Sequence, residues 1–239
     1  MVIAKEMFLL VVGAKEAHIK IIFGNMSKDF LDLEINGKSY KIPTSFDSLT
    51  LEQYCKAFYK LPKVEEDMDE LQCFKIVKEN ESRILSRIMG EKDDFCMNLP
   101  LGIYARLNEA IQFIYDSNYF IKNAKAGIVI DKKRYSIPPM SEMSMRQYID
   151  ADVVMQNESD MQYIELLSVL LLTQDNNGKW IPYNGDYQEL MGKVRQLKCS
   201  DALGLVYHFF KKGEALKKIS KASMKMEEVN QQLQHIQNS

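Results

Sequence analysis

Two stretches of this chain read alike. Residues 35–54 are INGKSYKIPTSFDSLTLEQY and residues 130–148 are IDKKRYSIPPMSEMSMRQY. In each, apolar residues alternate with polar ones around a short polar turn, and a proline follows, Pro43 or Pro138. Period-two alternation around such a turn predicts a β-hairpin. Proline cannot donate to a sheet ladder, so it marks the end of the hairpin. Thr50 or Ser144 then stands three residues before a glutamine, where a hydroxyl can cap a helix that begins LEQY or MRQY. The recurrence predicts a fold built twice from one hairpin-plus-helices unit.

The two copies differ in detail. Asn36-Gly37 suits a two-residue turn with both φ angles positive. Asp131-Lys132 suits it poorly, because lysine resists positive φ, so a wider second turn is expected. The next helix of copy one is entered through Glu65, Glu66, Asp67, Asp69 and Glu70, charges that favour a helix N-terminus. Its apolar face is expected to be Leu71, Phe74, Ile76, Val77, Ile84, Leu85 and Ile88. In copy two the matching helix runs from Ile164 through Leu172 and is apolar nearly all round, so it should be buried. A last helix closes each copy, from about Pro100 in the first and through SDALGLVYHFF in the second, the latter ending at Lys211-Lys212-Gly213. Tyr40 and Tyr135 are expected in equivalent places, each packed on its following helix.

The expected class is therefore α+β and mainly α-helical, with two duplicated β-hairpin-plus-helices units and a C-terminal helix. Residues 1–30 form an N-terminal strand region, 31–122 the first unit, 123–213 the second and 214–239 an amphipathic helix. The opening MVIAKEMFLLVVGAKEA reads better as a buried strand than as a signal peptide, because Glu6 adjoins Lys5 and the apolar run is short. No apolar run reaches the roughly 20 residues of a membrane helix. Cysteines 55, 73, 96 and 199 lack metal or redox spacing and are expected to be free thiols in a reducing compartment. The net charge of −2 gives the whole chain no general attraction to nucleic acid.

Chemistry-bearing motifs are absent from the sequence: there is no P-loop, GxGxxG, HExxH or GxSxG. Histidines stand only at 18, 208 and 235, and His208 lies among aromatics in VYHFF. A non-enzyme without cofactor or metal is the expectation. Contacts are better signposted. Copy two carries an insertion, Asp175 to Tyr187, that holds the single tryptophan, Trp180. Trp180 reads either as an interface anchor or as a ring folded back on its own core. Ile219, Ala222, Met226, Val229, Leu233 and Ile236 recur at spacings of three and four, an apolar seam over nearly three heptads. The seam packs either on its own domain or on a partner, which includes a second copy of the chain. Lys211, Lys212, Lys217, Lys218, Lys221 and Lys225 make a basic stretch that could touch phosphates weakly, and reads first as a solvated helix face.

INGKSYKIP and LTLEQY in copy one, with IPYNGDYQEL and LKCSDALGLVYHFFKKGEAL in copy two, resemble small proteins of tailed bacteriophages, including those of crAss-like phages. The resemblance covers most of residues 30–218 and leaves the N-terminus and the heptad seam outside. It implies a structural, packaged or tail-assembly protein, found in the virion and in the host cytoplasm during assembly, with other virion proteins as partners. It carries over no catalytic residue. Within it, a virion component and a tail assembly chaperone absent from the finished particle are the two expectations.

Overall fold

The computed structural model describes residues 9–12, 19–65, 67–116, 118–209 and 211. The architecture is α+β and mainly helical, with a four-stranded sheet in the N-terminal half and a three-stranded sheet in the C-terminal half. The first sheet is an antiparallel meander of β1 (Leu9–Val12), β2 (Ile19–Met26), β3 (Phe30–Ile35) and β4 (Lys38–Pro43). Leu9–Val12 is thus a strand, as expected; the burial of its side chains lies outside the described residues. Strand β2 falls within the expected N-terminal strand region, which had not been divided into strands; Ile21 and Phe23 alternate in sequence and both are buried. In β3 and β4, Leu33 opposes Tyr40 and Leu31 opposes Ile42, all four on the buried face.

Helix α1 (Leu51–Phe58) follows, then α2 (Glu70–Ile88), α3 (Leu101–Ala110) and the single turn α4 (Tyr119–Lys122). Thr50 and Asp69 each close a full capping box, with Gln53 and Gln72 as third residues. The expected closing helix of copy one divides: α3 ends at Ala110 and a tighter turn, Gln112–Tyr115, continues the chain. The expected apolar face of α2 also divides. Ile84, Leu85 and Ile88 are buried, whereas Leu71 is 76% exposed and Phe74 and Val77 are exposed with it. The helix outruns the core beneath it, so a continuous apolar stripe meets protein at one end and solvent at the other.

The second half repeats the order. β5 (Ile128–Ile130) and β6 (Lys133–Ser136) form the hairpin, and α5 (Met145–Gln156) and α6 (Gln162–Leu170) follow. The second turn is as tight as the first: Asp131 and Lys132 have φ of 49° and 66°, against 52° and 82° at Asn36 and Gly37. The expectation of a wider turn is corrected. The twist of the paired strands imposes positive φ even on lysine. Helix α6 stops at Leu170, two residues short of the apolar run, and Leu172–Thr173 becomes β7, paired with β6. The buried apolar run was legible; the switch from helix to strand inside it was not, since a fully apolar segment carries no period. α7 (Gln188–Val194) and a final helix, α8 (residues 199–209), complete the described chain.

The units interlock. The first amides of α1 donate across to the turn that follows α7, Leu51 N to Leu197 O at 2.9 Å and Glu52 N to Arg195 O at 3.2 Å. Two of the orphan amides at the start of α1 are thereby satisfied from the other half of the chain. Cys199 N donates to Leu49 O at 2.7 Å, and Ser200 Oγ to Asp47 Oδ1 at 2.6 Å. Leu51 and Cys55 of α1 pack in the core of the second unit, with Ile164, Leu167 and Leu205, while Cys199 of α8 packs in the core of the first. Residues 123–125 cross α8 at Gly204, where a Cβ would lie 2.7 Å from the Asn123 carbonyl oxygen. Lys125 pairs with Asp201 beside that crossing.

Candidate interaction site

Helix α5 is held on one side and bare on the other. Its start is set by Ser144, whose Oγ accepts from Gln147 N at 3.1 Å. Turning by about 100° per residue, the helix buries Gln147 and Val154 and half-buries Ala151 on one face. That face packs on Leu166, Val169 and Leu170 of α6, on Tyr183 and Tyr187 of the insertion, and on Phe209 of α8. Tyr183 Oη also donates to Asp150 Oδ2 at 2.8 Å, and burial with that carboxylate pushes the phenol pKa well up. Gln147 Nε2 donates to the carbonyls of Val169 (2.8 Å) and Leu170 (3.4 Å), where α6 gives way to β7.

The opposite face carries Met145, Tyr148, Ile149, Val153 and Met155, all exposed, Met145 at 73%. Asp152 and Gln156 share that face, linked by a hydrogen bond of 2.8 Å. Five large apolar side chains in three turns are an unusual concentration for a surface helix. Exposed carboxylates Glu142 and Glu158 stand just before and just after the helix. This face was missed in the sequence. Its only signal was that MRQYIDADVVMQ is apolar on two faces at once, and nothing local says which one the core takes.

A second feature lies where the units meet. A cleft of about 530 Å³ opens between the end of α1 and the start of α6, lined by Tyr54, Phe58, Lys60, Lys63, Asp160 and Tyr163, among others. Tyr54 and Phe58 stack at 4.6 Å between ring centroids. Cys55 lines the same cleft, and burial pushes its thiol up to about 12, so it stays protonated at neutral pH. Burial likewise raises Cys96 to about 11, and lifts Cys199 further. These thiols are held as core residues rather than as thiolate nucleophiles. Among the described residues, no group of three His, Cys, Asp or Glu side chains is arranged to hold a metal ion, and no helix is long and apolar enough to cross a membrane.

Of the contact residues expected from sequence, Trp180 is half-buried and its backbone bridges to Gln174. The insertion around it is ordered: Asp175 Oδ1 accepts from Asn177 N and Lys179 N, both at 2.9 Å, and closes a tight turn. Ile219, Met226, Val229, Leu233 and Ile236 lie outside the described residues, as do Lys212, Lys217, Lys218 and Lys221; Lys211 is exposed at the end of α8. No protein-family model matches the chain, and no curated protein and no solved structure matches it.

Proposed function

We propose that this protein is a non-enzymatic component of a tailed-bacteriophage particle, packed in the capsid or built into the neck or tail, and that it acts through protein–protein contacts. The observation that carries the contact reading is the outward face of α5, where five large apolar side chains stand on a helix whose other face is firmly anchored. Burying each such side chain is worth roughly 1.5–3 kcal/mol, so a covered face would drive association strongly. The phage assignment is supported by the resemblance of residues 30–218 to small phage proteins. The exposed start of α2, with Leu71, Phe74 and Val77, adds a second apolar contact surface.

Mass spectrometry of purified particles tests the reading. The chain should co-purify with the particle at a fixed stoichiometry. Its absence from particles, together with recovery in complex with a tail protein from infected cells, would replace the reading with that of an assembly chaperone.

A further inference from the structure

We infer that the cleft between α1 and α6 binds a small aromatic zwitterion of the amino-acid class. Its ring would lie on Tyr54 and Phe58, its carboxylate at Lys60 and its ammonium at Glu158 and Asp160. The inference goes beyond the virion assignment and does not depend on it. At about 530 Å³ the cleft falls in the size range of small-molecule sites, and it lies where the two units meet. Its floor is aromatic. Tyr54 and Phe58 stand one turn apart on α1, stacked with ring centroids at 4.6 Å, and both are only half-buried. Tyr163 lines the opposite wall from α6. The two walls carry opposite charge. Lys60 and Lys63 stand on the segment that follows α1, and Glu158 and Asp160 on the loop that leads into α6. Among the described residues, none of these four joins an ion pair. Lys60 Nζ lies 5.2 Å from the centre of the Tyr59 ring. Tyr59 first, and then Glu158 across the mouth, hold that ammonium above its usual pKa. A molecule with both charges answers both walls. A simple cation or anion leaves one wall unanswered and meets its own sign there.

The backbone at Lys60 supplies an independent argument. Its φ is 47°, in the left-handed region. The other non-glycine residues with positive φ among those described are Asn36, Asp131 and Lys132, all in the hairpin turns, where strand twist demands it. Lys60 instead follows Tyr59, the C-cap of α1. Glycine is the usual residue at that place, because it takes the conformation without strain. A lysine there serves the fold less well than glycine would. What it adds is an ammonium at the mouth of the cleft. Backbone strain of this kind gathers at ligand sites.

Titration of the heavy-nitrogen-labelled full chain with free phenylalanine, phenethylamine, phenylpropionate and alanine, followed by amide shifts, tests the inference. Phenylalanine should bind, with the largest shifts in residues 54–63 and 158–163. Phenethylamine lacks the carboxylate, phenylpropionate lacks the ammonium and alanine lacks the ring. Each should bind at least tenfold more weakly. Lys60→Gly separates binding from folding: it should melt at a higher temperature than the unaltered chain, yet bind phenylalanine no better than phenethylamine. Glu158→Gln with Asp160→Asn should bind phenylalanine no better than phenylpropionate. Equal binding of the three ring-bearing probes by the unaltered chain would reduce the cleft to an apolar surface and overturn the inference. So would the absence of shifts in both segments up to the solubility limit of phenylalanine. A Lys60→Gly chain that binds phenylalanine undiminished would equally overturn it, as would one that melts lower, since the lysine would then serve the fold. Particle incorporation is read separately, so failure here and failure of the virion assignment are distinguishable.

Discussion

Gln53 and Gln147 occupy the same place in the two units and do different work. Gln53 turns back on its own helix, where its Oε1 accepts from Thr50 N at 3.0 Å and completes a capping box. Gln147 keeps the backbone half of that arrangement, then sends its amide inward to two carbonyls at the end of α6. The surroundings account for the difference. Unit one extends its sheet on the β3 side, with β2 and β1. Unit two extends on the opposite side of its hairpin, with β7 drawn from the chain just after α6. Making that strand opens the end of α6, and the nearest polar side chain, Gln147, answers the freed carbonyls. One local pattern thus serves two tertiary settings.

The contrast between the units is most severely tested at Leu51. This residue belongs by sequence to unit one and by packing to the core of unit two. Leu51→Ala should cost about 3 kcal/mol, within the range for a fully buried leucine, and the chain should still unfold in one transition. Urea denaturation followed by Trp180 fluorescence and by hydrogen exchange in residues 30–60 checks both. Two separated transitions would mean that the units are independent and the interlock is unimportant.

The hairpin tyrosines come next. Tyr40 and Tyr135 do occupy matching positions, opposite Leu33 and Ile128. Tyr40 is buried beside Phe95, and its hydroxyl donates to Glu91 at 2.7 Å, while Tyr135 is only half-buried. Burial first, and then Glu91, pushes the Tyr40 phenol up to about 12. Tyr40→Ala should cost about 3 kcal/mol, and Tyr135→Ala about half that, in proportion to the area it covers. Equal losses in thermal melts would show that the second hairpin is covered as fully as the first.

The glutamines give a smaller and more pointed contrast. Gln147→Ala strands two buried carbonyls and should cost about 2 kcal/mol. Gln53→Ala removes half of a capping box that solvent can partly replace, and should cost no more than about 1 kcal/mol. The order of the two midpoints in denaturant is the measurement, and a reversed order would remove the distinction between them.

The smallest expected effect is a gain. Lys132 sits at a φ of 66°, where Gly37 stands in the first hairpin. Lys132→Gly should stabilise by about 0.5–1 kcal/mol, since relief of left-handed strain slightly exceeds the added chain entropy. An unchanged or lower melting temperature would show that the lysine side chain contributes contacts that offset its strain.

Much of the fold was legible because its signals are local. The hairpins, the Thr50 and Ser144 caps and the acidic entry to α2 depend on residues within three or four positions of one another, and each stands where the pattern placed it. Of the candidate contact residues, Trp180 was found half-buried and bridged to Gln174 just after a tight turn, while the outward face of α5 went unread. Sequence by itself determined the class and placed the two hairpins and the helix caps that follow them, because turn chemistry, capping and periodicity act over one or two turns of chain. Only the tertiary structure decided which face of α5 is bare, where α2 outruns its core, why α6 yields to a strand and how α1 comes to fill the core of the other unit. Each of those depends on which surfaces meet across tens of residues or, for Leu51 and Ile164, more than a hundred, and an apolar side chain carries no record of the partner that will cover it.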